Sequence, residues 1–265
     1  MQTAAHLPHS EILDEHIGLI RLASAHNRNA LSLPVIDALL AALQSFSHPQ
    51  VRVILLTADT GEHHVWSAGA DITDLPPHGQ DPLLHSARLP ALMRAVQRHP
   101  APIIAMVDGS VWGAATELAL SCDLITASPA ARFAITPANL GVPYSDSGVS
   151  TFLRRLPLNI VREMFYSARP LNAEEALRAQ LINHLVPAEE LESFTLNLAR
   201  TLASKAPLVL AAVKEQTRIL SEAAPLTSEQ FERLHELRHR ALHSQDYREG
   251  LDAFHERRTP RFSGQ

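Results

Sequence analysis

Residues 107–123 read VDGSVWGAATELALSCD, and this stretch is the most informative one for the fold. An apolar strand ends at Gly109, a short loop follows, and the small residues Gly113, Ala114 and Ala115 lead into a helix. The first backbone N–H groups of a helix have no partner within it, and the helix dipole is positive at this end. The stretch therefore predicts a strand-to-helix junction that either packs closely or receives an anionic ligand.

A second stretch of small residues, VWSAGADI at 65–72, follows a strand and a polar loop. Side chains as small as those of residues 67–70 let a backbone approach a ligand closely. Two backbone N–H groups that converge on one oxygen form an oxyanion hole, and removing one donor typically lowers a rate on the order of 100- to 1000-fold. Each stretch alone is better explained by close packing, but the two together indicate a site.

Outside these stretches, strands and helices alternate through the first half of the chain. HIGLIRLAS (16–24) and VRVILLTAD (51–59) are rich in Val, Ile and Leu and predict buried strands, with a helix beginning near Pro34 between them. Three more short strands are predicted in IIAMVDG, DLITAS and RFAIT. This order predicts an α/β fold with right-handed crossovers, while the second half is helical. Those later helices either cover the core or make subunit contacts.

Composition limits the class of protein. The chain has 265 residues, a net charge of -5 and a pI near 6.3, which predicts neither nucleic-acid binding nor attraction to an anionic membrane. The N-terminus lacks the apolar segment of a secretory signal, and no uncharged apolar run approaches the roughly 18 residues of a membrane span. Cys122 is the only cysteine and is expected to be a small core residue. We therefore expect a cytoplasmic globular protein.

Histidines are frequent, at 15, but most are scattered without metal-ligand spacing. Glu62, His63 and His64 are consecutive, and adjacent residues of an extended segment point to opposite faces. A solvated loop is the better interpretation of this trio, so no metal site is expected.

Four motifs taken together resemble the crotonase (enoyl-CoA hydratase/isomerase) superfamily. These are HNRNALS (26–32), SAGADI (67–72), PIIAMVDGSVWGAATELALSCD (102–123) and YREGLDAFHERRTPRF (247–262). The resemblance runs from about residue 12 to the end of the chain. It implies a spiral of ββα turns over 1–200, followed by a C-terminal helical trimerisation region over 201–265. It also implies a homotrimer or a dimer of trimers.

The resemblance further implies a site for an acyl-CoA thioester, with the thioester carbonyl between the N–H groups of Ala70 and Ala114. Residues expected to bind the substrate and its CoA moiety are Arg28, Ala30, Ala68, Asp71, Ile72 and Gly113. No cofactor is implied, because CoA is part of the substrate. The family usually has glycine where Ala114 stands, and the alanine keeps its N–H if its backbone angles suit a Cβ.

The reaction depends on which acids are present. Hydratases of this family use two glutamates, and Glu117 matches the first by position. The second would fall near Pro137, within TPANLGVPY (136–144), which contains no acid. The nearest acid downstream is Asp146. A hydratase with two carboxylates is therefore disfavoured, while an isomerase with one acid remains open, and Glu117 could instead only brace the start of its helix.

The same TPANLGVPY segment is similar to that of decarboxylating members of the superfamily. By that resemblance, Thr136 and Tyr144 are neutral donors that orient a leaving carboxylate, and the oxyanion hole stabilises the enolate. Those members have histidine at the position of Ala70, so an imidazole is missing here. The expected reaction is decarboxylation of methylmalonyl-CoA, or a related malonyl-CoA thioester, to propionyl-CoA. The alternatives are an enoyl-CoA hydratase or isomerase using Glu117, and a family member that binds acyl-CoA without catalysis.

Overall fold

The computed structural model describes residues 7–48, 50–74, 87–221, 227–261 and 263. Within these ranges the strands are β1 His9–Leu13, β2 Ile17–Leu22, β3 Val53–Ala58, β4 Val65–Ser67, β5 Ile103–Val107, β6 Ser110–Trp112, β7 Leu124–Ala127, β8 Arg132–Ala134, β9 Leu171–Asn172 and β10 His184–Leu185. The α-helices are α1 Leu33–Ser45, α2 Arg88–Arg98, α3 Ala114–Ser121, α4 Asp146–Arg155, α5 Leu158–Ser167, α6 Ala173–Arg178, α7 Leu191–Ala203, α8 Pro207–Ser221, α9 Ser228–Leu242 and α10 Gln245–His255.

The strands form two sheets, of six and four strands. The larger has the order β1-β2-β3-β5-β7-β10, and the smaller has the order β4-β6-β8-β9. The pairs β2/β3, β3/β5, β5/β7, β4/β6 and β6/β8 are all parallel. Along the chain, β3 and β4, then β5 and β6, then β7 and β8 each give one strand to each sheet. This confirms the predicted spiral of ββα turns.

Burial on both faces explains the uninterrupted apolar strands of the larger sheet. Ile54 and Leu56 of β3 lie in the main core, whereas Val53 and Leu55 point to the other face, where they join a cluster that contains Ala199 of α7. A parallel sheet covered on both sides needs apolar residues at every strand position. The predicted strands at 16–24 and 51–59 are confirmed as β2 and β3.

The sequence interpretation missed β1, an edge strand that pairs antiparallel with β2. Most of its residues are exposed, so it lacks an apolar signal. The turn that joins it to β2 has left-handed backbone at Asp14 and Glu15, with φ of 44° and 55°. Acidic residues in such a turn are a weak hairpin signal, because they lack the glycine usually found there.

A partly buried ion pair attaches α8 to the body. Lys214 donates to the Asp123 carboxylate at 2.7 Å and to the carbonyl oxygen of Val96 at 3.1 Å. The same helix exposes large apolar side chains, including Leu208 and Leu220 at 84% and 74% exposure. Such side chains would suit subunit contacts, but their exposure does not test them. The trimerisation region therefore remains a prediction.

The last helix, α10, packs against the TPANLGVPY segment of its own chain. A Cβ placed on Gly250 would lie 2.2 Å from the carbonyl oxygen of Leu140, so only glycine allows this approach. Tyr247 is fully buried beneath the helix. The division at residue 200 remains a prediction, and α10 helps to position the site loop. Across the described ranges, no helix is long and apolar enough to span a membrane.

Candidate active site

The two small-residue stretches lie side by side, as the sequence predicts. Strands β4 and β6 are parallel neighbours, with Ser67 paired to Val111, so the loops that follow them leave the same edge of the smaller sheet. Gly69 has a φ of 85°, and a Cβ there would lie 2.4 Å from the carbonyl oxygen of Trp112 and 3.1 Å from the nitrogen of Ala114. Glycine is therefore required where the two loops touch.

The alanine at position 114 is compatible with its backbone. Ala114 is the first residue of α3, and the left-handed angle falls on Gly113 before it, with φ 52° and ψ -120°. Ala114 has no positive φ, so its Cβ causes no backbone strain. Within the described ranges, neither the Ala70 nor the Ala114 N–H donates a hydrogen bond. Two unpaired donors on touching loops form a candidate oxyanion hole.

A buried asparagine fixes the loop that carries Arg28 and Ala30. The Asn29 side chain accepts from the N–H of Ser24 at 2.8 Å and donates to the carbonyl oxygen of Asp59 at 2.8 Å. Its own carbonyl oxygen accepts from the Ser67 hydroxyl at 2.6 Å. This residue ties the HNRNALS segment to the SAGADI segment, and the sequence interpretation assigned it no role. The signal for this role in the sequence was that the polar Asn29 is followed directly by apolar residues.

Most of the predicted CoA-binding residues line one cavity of about 890 Å³. Those predicted from the sequence are Arg28, Ala30, Ala68, Ala70, Asp71, Ile72 and Thr136. Residues that line it without having been predicted include His26, His63, Asn139, Leu140 and Phe254, of which Phe254 belongs to α10. Gly113, Ala114, Glu117 and Tyr144 are absent from this lining. The structure thus brings the loops at 28–30, 68–72 and 136–140 around one space.

Thr136 links that cavity to the junction before α3. A Cβ on Gly113 would lie 3.8 Å from its hydroxyl oxygen. In the part of the chain that the structure describes, this hydroxyl has no hydrogen-bond partner. It is therefore available to a ligand that sits beside the two backbone donors.

Glu117 and Tyr144 form a hydrogen-bonded pair. Glu117 lies one turn beyond Ala114 on α3 and is 7% exposed. The Tyr144 hydroxyl donates to its Oε2 atom at 2.8 Å. The Tyr144 ring is held edge-to-face by Phe152 and Phe165, with centroids 6.2 and 5.1 Å away. The pair is thus fixed by aromatic packing.

Gly148 of α4 makes this pair possible. A Cβ there would lie 2.3 Å from Cε1 of Tyr144 and 2.9 Å from Oε2 of Glu117. Since real Cβ atoms do not approach so closely, any larger residue would displace one partner. The sequence interpretation missed this glycine, because its role depends on a contact between distant segments.

Burial dominates the electrostatics of the pair. It raises the pKa of the Glu117 carboxyl, and the hydrogen bond from Tyr144 only partly opposes this. Burial also raises the pKa of Tyr144 well above its ordinary value, with the neighbouring Glu117 charge adding to the effect. The phenol therefore stays protonated throughout the physiological pH range, and Glu117 is easier to protonate than an exposed glutamate.

Glu117 lines a second cavity, of about 360 Å³. Asp146 also lines it, so the two carboxylates that a hydratase could use share this space rather than the larger one. Four arginines lie around it: Arg94, Arg98, Arg154 and Arg218. The sequence interpretation did not foresee this cavity.

Two other residues have structural roles. Cys122 is buried, and burial raises the pKa of its thiol to about 12, so it is inert at neutral pH. The indole N–H of Trp66 donates to the carbonyl oxygen of Met106 at 2.9 Å deep in the core, whereas Trp112 lines the larger cavity. No cluster of three or more potential metal ligands occurs among residues 7–48, 50–74, 87–221, 227–261 and 263.

Comparison with known proteins agrees with this geometry. Residues 13–265 match the model of the enoyl-CoA hydratase/isomerase family. The chain is 43% identical over 248 residues to methylmalonyl-CoA decarboxylase from Escherichia coli strain K12, covering 94% of this chain and 95% of that one. It therefore belongs to the enoyl-CoA hydratase/isomerase family.

Solved structures show the same likeness. A methylmalonyl-CoA decarboxylase in complex with 2-nitronate-propionyl-CoA superposes with a TM-score of 0.94 at 41% identity, covering 99% of this chain and 100% of the other. Another, complexed with 2S-carboxypropyl-CoA, gives the same TM-score and identity over the full length of both chains. The predicted fold is confirmed, since the match spans the whole chain.

Proposed function

We propose that this protein is a carboxy-lyase that decarboxylates methylmalonyl-CoA to propionyl-CoA, or a related malonyl-CoA thioester to the corresponding acyl-CoA. One observation carries the proposal: a loop without any acid presents the Thr136 hydroxyl beside the unpaired backbone N–H groups of Ala70 and Ala114. This set stabilises an enolate but offers no pair of carboxylates to add water.

The chemistry follows from these groups. The bond between the α-carbon and the carboxylate breaks, carbon dioxide leaves, and the electron pair passes into the thioester as an enolate. The Ala70 and Ala114 N–H groups hold the enolate oxygen. Thr136 and Tyr144 hold the carboxylate out of the thioester plane, so that the breaking bond aligns with the carbonyl π system. The enolate carbon then takes a proton from solvent water to give propionyl-CoA.

Neutral donors suit a departing carboxylate better than a cation. A strong ion pair stabilises the charged ground state, and that stabilisation is lost as the charge leaves the carboxylate. The Thr136 hydroxyl and the Tyr144 phenol are both neutral, and burial raises the pKa of Tyr144 well above its ordinary value. The relatives named above support the same reaction.

The residues proposed to bind the CoA part of the substrate are those that line the larger cavity. Arg28 is exposed at its rim, where a guanidinium suits the phosphates of CoA. Ala30, Ala68, Asp71 and Ile72 lie beside it, and Gly113 lets the loop before α3 turn. Ala70 contributes only its backbone donor, so no imidazole acts there.

We also propose the cofactor requirement, the cellular location and the assembly of the protein. CoA enters as part of the substrate, and no other cofactor or metal takes part. The chain works in the cytoplasm, without nucleic-acid or membrane partners, as a homotrimer or a dimer of trimers. The exposed apolar residues of α8, such as Leu208, support subunit contacts. Sedimentation of the purified protein tests the assembly, and activity after dialysis against a chelator tests the metal.

The direct test is incubation with methylmalonyl-CoA while propionyl-CoA is followed by liquid chromatography. We expect product well above the buffer background. Crotonyl-CoA supplied in parallel tests the second candidate, a hydratase or isomerase, which the shared cavity of Glu117 and Asp146 favours. Turnover of crotonyl-CoA alone would replace the proposal with that one, and tight acyl-CoA binding without any turnover would indicate a non-catalytic member.

A further inference from the structure

The proton between Tyr144 and Glu117 poses a chemical constraint. A phenol has one O–H to donate, while its oxygen can also accept a hydrogen bond. In the structure that single proton is given to Oε2 of Glu117, at 2.8 Å. Under the proposed function, Tyr144 must instead donate to the carboxylate of the substrate.

Rotation of Tyr144 away from Glu117 does not solve this. Phe152 and Phe165, whose ring centroids are themselves 5.1 Å apart, pack edge-to-face against one side of the ring. Gly148 lies so close to both Tyr144 and Glu117 that not even a methyl group fits. The phenol oxygen therefore stays beside Glu117 when substrate binds.

With Glu117 ionised, the bound substrate would place two carboxylates against one phenol. Both would accept from the same single proton, and the like charges would repel each other, which raises the pKa of the group that can take a proton. A protonated Glu117 removes both problems, because its own O–H then donates to the phenol oxygen.

We propose, on the basis of the function above, that Glu117 is a positioning residue that holds a proton in the substrate complex. Its carboxylic acid O–H donates to the Tyr144 oxygen, which directs the phenol O–H to the substrate carboxylate. Glu117 thus acts through Tyr144 and takes no proton from the substrate, unlike the glutamate of a hydratase.

The surroundings of Glu117 support a neutral acid. It is buried, and within the described ranges its carboxylate has no ion pair and no hydrogen-bond partner except Tyr144. The charged groups around its cavity come from three elements: Arg94 and Arg98 of α2, Asp146 and Arg154 of α4, and Arg218 of α8. None of these forms an ion pair with it. Burial accordingly raises the pKa of the carboxyl.

The inference predicts the result of Glu117→Gln. The glutamine amide is neutral and donates to the phenol oxygen at every pH, so it mimics the protonated acid. The wild-type kcat should fall by about tenfold per pH unit above the pKa of Glu117 in the complex. The Glu117→Gln kcat should stay close to the wild-type plateau and show no such fall.

Other titrating groups affect both proteins equally. His26, His63 and Asp71 line the larger cavity and Asp146 the smaller one in both proteins, so any effect of these residues is common to the two pH profiles. Only the difference between the profiles reports on Glu117. Glu192→Gln, at an exposed glutamate of α7 that lines neither cavity, is the matched control and should reproduce the wild-type profile.

A binding measurement tests the same point without turnover. Carboxypropyl-CoA carries the carboxylate but cannot lose it, and propionyl-CoA lacks it. Calorimetry in buffers of different ionisation enthalpy, above the pKa of free Glu117, should show uptake of about one proton per site with carboxypropyl-CoA. Propionyl-CoA should show none, and Glu117→Gln should show none with either ligand.

The inference would be overturned if folded Glu117→Gln lost decarboxylation as severely as Tyr144→Phe, or if its alkaline fall in kcat were the same as that of the wild type. Equal proton uptake by wild type and Glu117→Gln would do the same. Failure of the wild-type protein to decarboxylate any malonyl-type thioester would instead count against the proposed function. Thermal unfolding of Glu117→Gln is the control that distinguishes a loss of activity from a loss of folding.

Discussion

Gly69 lies against Ala114, so that the backbones of two distant loops touch at the candidate oxyanion hole. A Cβ on Gly69 would lie 3.1 Å from the Ala114 nitrogen and 2.4 Å from the carbonyl oxygen of Trp112. No side chain separates the two loops here, so their N–H donors are held by backbone alone. This contact sets the geometry on which the proposed enolate stabilisation depends.

Gly69→Ala should therefore separate the donors. The methyl group must push the loop at 67–72 from the start of α3, and the φ of 85° costs a further 1–2 kcal/mol or so in the free energy of unfolding. We expect kcat for decarboxylation to fall on the order of 100-fold or more. Gly61→Ala is the matched control, since it carries the φ penalty at an exposed turn. An equal loss of kcat in both variants would refute the assignment.

Tyr144→Phe removes the phenol that is proposed to orient the carboxylate. We expect kcat to fall by roughly 100-fold, because one preorganised donor is lost, while propionyl-CoA binding is retained. Removing the partner of buried Glu117 should also lower the free energy of unfolding by about 1–3 kcal/mol, less if the acid is protonated. Tyr166→Phe, at a residue 78% exposed, is the control. An unchanged kcat would remove Tyr144 from the reaction.

Gly148→Ala tests whether the position of the Tyr144 ring matters. The added Cβ meets Cε1 of Tyr144 at 2.3 Å, so the ring must move away from Glu117. The kcat should fall towards that of Tyr144→Phe, although every proposed functional group is still present. Ser147→Ala, one residue earlier on the same helix, should leave kcat unchanged. Wild-type kinetics in Gly148→Ala would show that the pair needs no precise placement.

His99 should make stability depend on pH. Its ring is buried, and its nitrogens lie near the carbonyl oxygens of Ala101 and Leu43, at 3.3 and 3.2 Å. Burial lowers the pKa of His99, an effect that Lys214 adds to, while both carbonyl hydrogen bonds and Asp123 oppose it.

The unfolded chain then binds a proton near pH 6.5, where the folded one does not, so stability is lost as the pH falls below that value. The loss is at most about 1.4 kcal/mol per pH unit between the two pKa values. Urea unfolding at pH 8 and pH 5.5 should show a smaller difference in His99→Gln than in the wild type. His48→Gln, at an exposed histidine, should behave as wild type.

The sequence predicted the elements that have strong local signals. The parallel strands at 17–22 and 53–58 are apolar at nearly every position because both faces are covered, and such runs are readable without a structure. The small residues at 67–70 and 113–115 likewise predicted two close backbone approaches. The short strands β4, β6, β9 and β10 were not predicted, since two or three residues carry no periodicity; β8 is as short, but it lies within the longer apolar run RFAIT.

The residues of the candidate site likewise fall into those that the sequence predicted and those that it did not. Ala70, Ala114, Thr136 and Tyr144 were named from motifs, and the structure places the first three on adjoining loops. Their proposed roles still await the experiments above. Asn29 and Gly148 were missed, because each acts through contacts with residues far away in the chain.

By itself, then, the sequence determined the α/β class, the two loops and the absence of acid between Thr136 and Tyr144. These are local properties, set by residue type and spacing. Only the tertiary structure decided that Ala114 tolerates its Cβ, because the left-handed angle falls on Gly113. It alone also placed Tyr144 against buried Glu117, since packing between α3 and α4 sets both the distance and the desolvation that control the shared proton.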